Sequence, residues 1–393
     1  MIAPPPPGTF HPRRILVRGV NWLGDAVMTT PALQRLREAL PAAHITLLTQ
    51  EKLADLWQRH PSLDAVMTFS RDESPWSVAR RLRAERFDTA LVLPNSPRSA
   101  LEVWLARIPQ RIGYARPWSS WLLTQTLGLR PGKVPMPRRS VNEVKRLIRL
   151  PLAVPSLAAA LPQARAVHQI HDYLHLAATL GANPEPLPPR LEITAAEMRQ
   201  AQEAWLEKLQ VVGQASRLPP GKAGEMPALL GLNPGAEYGP AKRWPAQNFA
   251  TVAREVSRSV GNCRWLAVGG AGDRNLCHEI ARLTDNGVLN LAGKTSLRQL
   301  MALLKLCRLL LTNDTGPMHV AAALGTPVVV LFGSTSPELT GPGLPGDPRH
   351  QLLTSATPCA PCFRRTCPID FRCMTAIRPD RVVKAVLHSL SLK

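Results

Sequence analysis

Residues 308–333, RLLLTNDTGPMHVAAALGTPVVVLFG, decide the fold class. Leu309–Leu311 and Val328–Phe332 read as buried strands, joined by a polar loop, a helix and a Gly-Thr-Pro turn. Two apolar strands linked through a helix form a unit of a parallel sheet covered on both faces. The loop Asn313-Asp314-Thr315-Gly316-Pro317 carries the chemistry. Pro317 suits the first helical turn, because its missing N–H would have no partner there. Thr315 or Gly316 can then cap, and the free N–H groups of that turn suit an anion, phosphate above all. Asp314 has the wrong charge for phosphate, so it serves another part of a ligand or fixes the loop. Taken alone, the stretch reads equally well as a capped helix in an α/β sheet.

Upstream the same rhythm repeats. A βαβ series starts at Leu229 with the strand LLGLNPG, then helix 246–260, strand Arg264–Gly269, helix 274–284, strand Val288–Leu291 and helix 296–306. The first half shows strands at Arg13–Gly19, His44–Thr49, Ala65–Phe69, Thr89–Leu93 and Arg111–Tyr114. Helices are expected from the Asn21–Asp25 loop through Ala39, around Leu53–Arg59 and over Trp76–Arg86. Such alternation predicts an α/β protein with doubly wound parallel sheets. The segment Ala182–Arg190 (ANPEPLPPR) is the best linker. It divides the chain into residues 1–185 and 186–393, two Rossmann-like domains facing a central cleft, with the last helix packing back on the first domain. Ligands are expected at the carboxyl ends of the strands.

Two stretches break the rhythm. Residues 130–165 contain a Pro- and Arg-rich loop and then Ser140–Leu150, an amphipathic basic helix able to rest on anionic lipid or to pack as an ordinary surface helix. Gly213–Ala228 is rich in Gly, Pro and Ser and reads as an inserted loop.

The 393 residues carry 48 Lys and Arg against 28 Asp and Glu, a net charge of +20, which favours acidic partners: nucleic acid, an anionic membrane face or phosphorylated substrates. The excess is uneven, with 10 basic and 2 acidic side chains in residues 101–150. The opening MIAPPPPGTFHPRR lacks the apolar core of a signal peptide, and no run of about 18 apolar residues exists to span a bilayer. A cytoplasmic protein with reduced cysteines is expected.

In the second half four strand ends converge: Asn233-Pro234-Gly235-Ala236 with Lys242 following, Gly269–Asp273, Ala292–Thr295 and Asn313–Gly316. Glycines there let a ligand approach the backbone, and Lys242 offers a point charge to a diphosphate. Together they indicate a nucleotide or nucleotide-sugar site. In the first half, Gly24 and Asp25 follow the first strand. Asp25 is placed either as a general base toward a hydroxyl or as a helix N-cap.

Three segments, VRGVNWLGDAVMTTPAL at 17–33, NPGAEYGPAKRWP at 233–245 and NDTGPMHVAAALGTP at 313–327, resemble the hallmark segments of the ADP-heptose:lipopolysaccharide heptosyltransferases, glycosyltransferase family 9. The first two are most similar to the heptosyltransferase II branch. The likeness covers roughly residues 13–385, in order and at plausible spacing. It implies a GT-B fold whose first domain binds the acceptor and whose second binds ADP-heptose. It also implies metal-independent, inverting transfer to the first heptose of the lipopolysaccharide inner core. By position, Asp25 is the implied base and Lys242 holds the diphosphate and neutralises departing ADP. Thr315 and Gly316 donate to the phosphates, Asp314 meets the donor sugar, and His319 reaches the diphosphate. Asn233, Gly235, Asp273, Thr295 and Gly24 complete the implied donor contacts. The implied partner is a lipid A–core acceptor, met at the inner membrane face by a peripheral monomer. No cofactor is expected. The alternatives are heptosyltransferase I or III, another ADP-sugar transferase of the family, or a basic nucleic-acid-binding protein, although no nucleic-acid reader motif is present.

One array stands apart. Cys359, Cys362, Cys367 and Cys373 in CAPCFRRTCPIDFRC could form a structural zinc site, but the spacing matches no common zinc pattern well. A reduced or disulfide-capable loop is the expectation.

Overall fold

The computed structural model describes residues 12–134, 138–149, 167–204 and 227–392. The proline-rich start, the apolar Leu150–Leu161 stretch and nearly all of the 213–228 insertion lie outside the described residues. Two compact units emerge: residues up to 134 with 167–191, and residues 138–149 with everything described from Glu192 onward. The division is therefore not a single cut at 185. Residues 182–190 are tied to the first unit, where Arg35 Nε donates to the Glu185 carbonyl (3.1 Å) and Arg190 N–H donates to Thr30 Oγ1 (3.3 Å). Helix Val141–Leu147, capped by Ser140 accepting from Glu143 N–H, belongs to the second unit. Its apolar side packs on Cys359, Cys362 and Ile369, so Val144 is buried in protein and not available to lipid.

In the first unit, β1 (Arg14–Arg18), β2 (His44–Gln50), β3 (Ala65–Phe69), β4 (Thr89–Val92), β5 (Gln110–Tyr114) and β6 (Gln125–Leu127) form one parallel sheet in the order β3-β2-β1-β4-β5-β6. Leu16, Leu48, Phe69 and Val92 meet Val78 and Leu82 of helix Pro75–Ala84 and Val103 of helix Pro97–Leu105. The single helix expected after β1 is two, Leu23–Met28 and Thr30–Ala39. Pro31 cannot donate to the preceding turn. The hydroxyls of Thr29 and Thr30 donate to the Ala26 and Val27 carbonyls instead, at 2.7 and 2.8 Å. The helix expected near Leu53–Arg59 is a 3₁₀ segment, Glu51–Trp57, followed by Arg59 in the left-handed region.

In the second unit, β7 (Ala228–Asn233), β8 (Cys263–Ala267), β9 (Val288–Asn290), β10 (Leu309–Asn313), β11 (Val328–Phe332) and β12 (Gln351–Thr354) form a parallel sheet in the order β12-β11-β10-β7-β8-β9. Trp244 fixes its centre, lying edge-on to Phe249 at 5.0 Å and donating from Nε1 to the Ile377 carbonyl at 3.0 Å. The last helix, Pro379–Ser391, buries Val382, Val383 and Val386 in this unit's own core. Glu197 forks onto Arg298 with two bonds of 2.8 Å, which holds the helical residues 195–204 to helix Leu297–Leu306.

Each sheet begins in its middle, runs outward for three strands, then resumes on the other side of its first strand. The order reverses between β1 and β4 in one unit and between β7 and β10 in the other. Doubly wound sheets hold ligands beyond the carboxyl ends of the strands at such a reversal.

His350 in the second unit sets an acid limit. Burial holds its imidazole down to about 4, while Asp347 pulls the other way. Among the described residues neither ring nitrogen has a hydrogen-bond partner. A histidine depressed in the fold stabilises above its unfolded value near 6.5 and loses that contribution as pH falls toward 4, here about 3 kcal/mol. Chemical-denaturation midpoints are expected to drop between pH 7 and pH 4, and His350→Gln is expected to lessen the drop, part of which stays with His60, also held down to about 4 by burial. An unchanged pH profile in that variant contradicts this assignment.

Candidate active site

At the reversal in the second unit, the carboxyl ends of β7 and β10 place Asn233 and Asn313 side by side. Both are buried and both are used to shape loops. Asn233 Nδ2 donates to the Val268 carbonyl (2.8 Å) and its Oδ1 accepts from the Thr312 hydroxyl (3.3 Å). Asn313 Nδ2 donates to the carbonyls of Pro234 (2.7 Å) and Gly235 (3.3 Å), and its Oδ1 accepts from Trp244 N–H (3.3 Å). Asn233 therefore supports the site from behind.

Lys242 arrives in this frame on a short 3₁₀ turn, Pro240–Lys242. Its Nζ donates to Asp314 Oδ2 at 2.6 Å and to the Asp314 carbonyl at 3.3 Å, and it sits 4.8 Å from the Tyr238 ring centre. Thr335 donates its hydroxyl to the same carboxylate oxygen at 2.5 Å. Lys242 and Asp314 are nearly excluded from solvent, with side chains 11% and 4% exposed. Such a pair needs its remaining hydrogen bonds satisfied. Two of the three ammonium protons are engaged by Asp314, which leaves one for a further acceptor. Asp314, misfit beside an anion in the bare sequence, is the partner of Lys242.

Thr315 occupies the N-cap position of helix Gly316–Ala323, in extended backbone and with Pro317 in the first turn, as the sequence predicts. His319 is buried in the same helix. Asp273 closes the turn after β8, accepting from Gly270 N–H at 3.1 Å, with the Arg243 guanidinium 3.8 Å away. A Cβ on Gly235 would lie 2.4 Å from the Asp273 carboxylate, so a larger residue there has to displace that side chain. Thr295 is half-buried ahead of Ser296, which caps helix Leu297–Leu306.

The four cysteines line one small cavity with Val144, Ser334 and Arg372. All are free thiols, and burial together with its three neighbours pushes Cys373 up to about 12. Among the described residues no group of three or more His, Cys, Asp or Glu side chains is placed to hold a metal ion. The cysteine loop splints the Lys242 turn and the loop after β11. Cys362 and Phe363 N–H donate to the Ser334 carbonyl (3.1 and 2.7 Å), Tyr238 OH donates to the Phe363 carbonyl (2.8 Å), and Ala241 N–H donates to the Arg365 carbonyl (3.0 Å). Gly239 has φ +150°, and a Cβ there would meet the Arg365 carbonyl at 2.5 Å. Gly239→Ala is therefore expected to cost about 2 kcal/mol in unfolding free energy. The displaced turn carries Lys242, and denaturant unfolding of the variant checks the cost.

In the first unit, Trp22 holds the N-cap position of helix Leu23–Met28, while Gly24 and Asp25 lie in its first turn. Asp25 is thus not the N-cap residue itself. Gln169 Nε2 donates to Asp25 Oδ1 at 3.2 Å and to Tyr173 OH at 2.8 Å. Burial, and then the charge of Asp25, push the Tyr173 phenol well above its ordinary value. Asp25 is half-buried and oriented by a neutral amide, an environment in which a carboxylate can accept a proton. Beneath it, at the β1 end, buried Arg18 forks between Glu102 Oε2 (2.8 Å) and the Gly19 carbonyl (2.7 Å), with its guanidinium 4.3 Å from the Phe69 ring centre. Arg98 reaches the other Glu102 oxygen at 2.7 Å. This network rigidifies the strand end from which the Asp25 loop departs.

The sequence profile of glycosyltransferase family 9 (heptosyltransferase) matches residues 135–371. Lipopolysaccharide heptosyltransferase 2 of Escherichia coli (strain K12) is 30% identical over 342 residues, covering 84% of this chain and 85% of the relative. Lipooligosaccharide heptosyltransferase 2 of Haemophilus ducreyi is 29% identical over 345 residues, covering 84% and 86%. The solved structure of E. coli ADP-heptose lps heptosyltransferase II matches with a TM-score of 0.71 at 26% identity, over 96% of this chain and 99% of that one. The family 9 glycosyl transferase from Veillonella parvula matches with a TM-score of 0.74 at 24% identity over 97% and 98%, a likeness of fold. With two doubly wound units of the GT-B type and this shared sequence, the chain belongs to glycosyltransferase family 9, the heptosyltransferases.

Proposed function

We propose that the chain transfers L-glycero-D-manno-heptose from ADP-heptose to the heptose I residue of the lipopolysaccharide inner core. The observation that carries this reading is the buried Lys242–Asp314 pair at the β7/β10 reversal, beside the N-terminus of helix Gly316–Ala323. A diphosphate meets there an ammonium proton and the positive end of a helix. The heptosyltransferase 2 relatives support the donor and the acceptor.

In the proposed reaction Asp25 accepts the proton of the acceptor hydroxyl. The freed oxygen forms a bond to the anomeric carbon as the bond from that carbon to the diphosphate oxygen breaks. The electron pair leaves with ADP, and the configuration at that carbon inverts. Lys242 meets the charge growing on the leaving diphosphate, a role that preorganised cations fill without solvent rearrangement. Thr315 and Gly316 offer backbone donors to the phosphates, and Asp314 holds Lys242 in place while facing the sugar. We further propose that the enzyme works at the cytoplasmic face of a membrane. Among the described residues no helix is long and apolar enough to cross one.

Acceptors ending in no, one or two heptoses discriminate within the family. Turnover is expected with the one-heptose acceptor and ADP-heptose. Preference for the acceptor without heptose would replace this reading with heptosyltransferase I activity.

A further inference from the structure

Among the described residues five tryptophans are exposed, and all five lie in the first unit. Three of them gather at the β6 edge of its sheet. Trp104 (41% exposed) ends helix Pro97–Leu105, while Trp118 (64%) and Trp121 (68%) stand on the connection from β5 to β6. Trp104 and Trp121 meet edge to face at 5.8 Å. The connection is braced. Arg116 N–H donates to Ser120 Oγ (2.8 Å), Ser120 Oγ donates back to the Arg116 carbonyl (2.7 Å), and Arg111 Nε donates to the Leu122 carbonyl (2.8 Å). The rings are therefore held outward by built structure.

The charge around them has one sign. From Val103 to Val134 the chain contains five Arg and Lys and no Asp or Glu; Arg130 and Lys133 pair with Asp172 from outside the segment, which leaves Arg107, Arg111 and Arg116. Exposed Arg107 follows Trp104 in the chain, its N–H donating to the Trp104 carbonyl at 2.9 Å, and among the described residues the Arg116 side chain reaches the neutral Asn95 side chain, at 3.4 Å. Tryptophan, with an apolar body and one N–H donor, is at home at the level of lipid headgroups. Arginine beside it answers anionic headgroups. A second copy of the same face would bring like charges together with no acid to pair them. We infer that this face, Trp104, Trp118 and Trp121 with Arg107 and Arg116, docks on an anionic bilayer and so carries the first unit to a lipid-borne acceptor. The inference rests on the proposed acceptor for its purpose but not for its test.

The test uses the full chain with vesicles of phosphatidylethanolamine and phosphatidylglycerol in equal parts, and with phosphatidylcholine vesicles. Wild type is expected to co-sediment with the anionic vesicles and weakly with the neutral ones. Trp118→Ala/Trp121→Ala is expected to bind the anionic vesicles about tenfold more weakly. Trp76→Ala, which removes a 71%-exposed ring elsewhere on the unit, is expected to bind as wild type. Undiminished vesicle binding by the double variant, or no binding by wild type, overturns the inference. A change in oligomeric state with vesicle binding intact also overturns it and assigns the face to self-association. A delipidated one-heptose acceptor separates the two proposals. The double variant should turn it over as wild type does, whereas inactivity of wild type on it counts against the proposed function alone.

Discussion

Lys242→Met is expected to lose about 3 kcal/mol of unfolding free energy and to bind ADP at least about tenfold more weakly. The first effect follows from what remains behind. Asp314 is 4% exposed, and without Lys242 it keeps only the Thr335 hydroxyl as a side-chain partner among the contacts described. Breaking a buried pair by removing one partner is far more costly than replacing both. Lys242→Met/Asp314→Leu should therefore recover most of the stability. It should not recover ADP affinity, because the ammonium that the proposed reaction sets against the diphosphate is still missing. Denaturant unfolding and calorimetric titration with ADP separate the two losses. If ADP affinity returned with stability, Lys242 would be a structural lysine only.

Asp25→Asn is expected to bind ADP-heptose as wild type does and to lose turnover by about a hundred- to ten-thousand-fold, the range of a general base. Asparagine keeps the size of the side chain, and its carbonyl oxygen can still accept from Gln169, so the local fold has no reason to change. Only the capacity to take a proton is removed. Single-turnover kinetics against donor affinity measured on the same preparation make the comparison. A variant with near-normal turnover would reduce Asp25 to a helix-dipole partner in the first turn of Leu23–Met28.

Where burial is two-sided, the strands were legible from composition, and Val328–Phe332 was placed to the residue; Ala65–Phe69, an edge strand of mixed exposure, was marked by its apolar run alone. The two strands missed, Gln125–Leu127 and Gln351–Thr354, are edge strands in which polar residues face solvent, so no apolar run marks them. Helix ends followed local chemistry where Ser296 and Ser140 cap. They failed at Thr29, where two hydroxyls replace backbone donors around Pro31. Strand-end loops pointed to Lys242, Asp314 and Thr315 but not to their pairing, which depends on side chains 72 residues apart. Thr335 was within reach, since it lies in a polar loop directly after the buried strand β11. Gln169 was not, because nothing local ties it to Asp25, 144 positions away.

The most direct measurement is the product formed by the purified full-length chain from ADP-heptose and a one-heptose core acceptor, followed by mass spectrometry and by the configuration of the new linkage. The account predicts one added heptose for each ADP released, with the anomeric configuration opposite to that of the donor. Retained configuration, or ADP released without a heptosylated product, would contradict it.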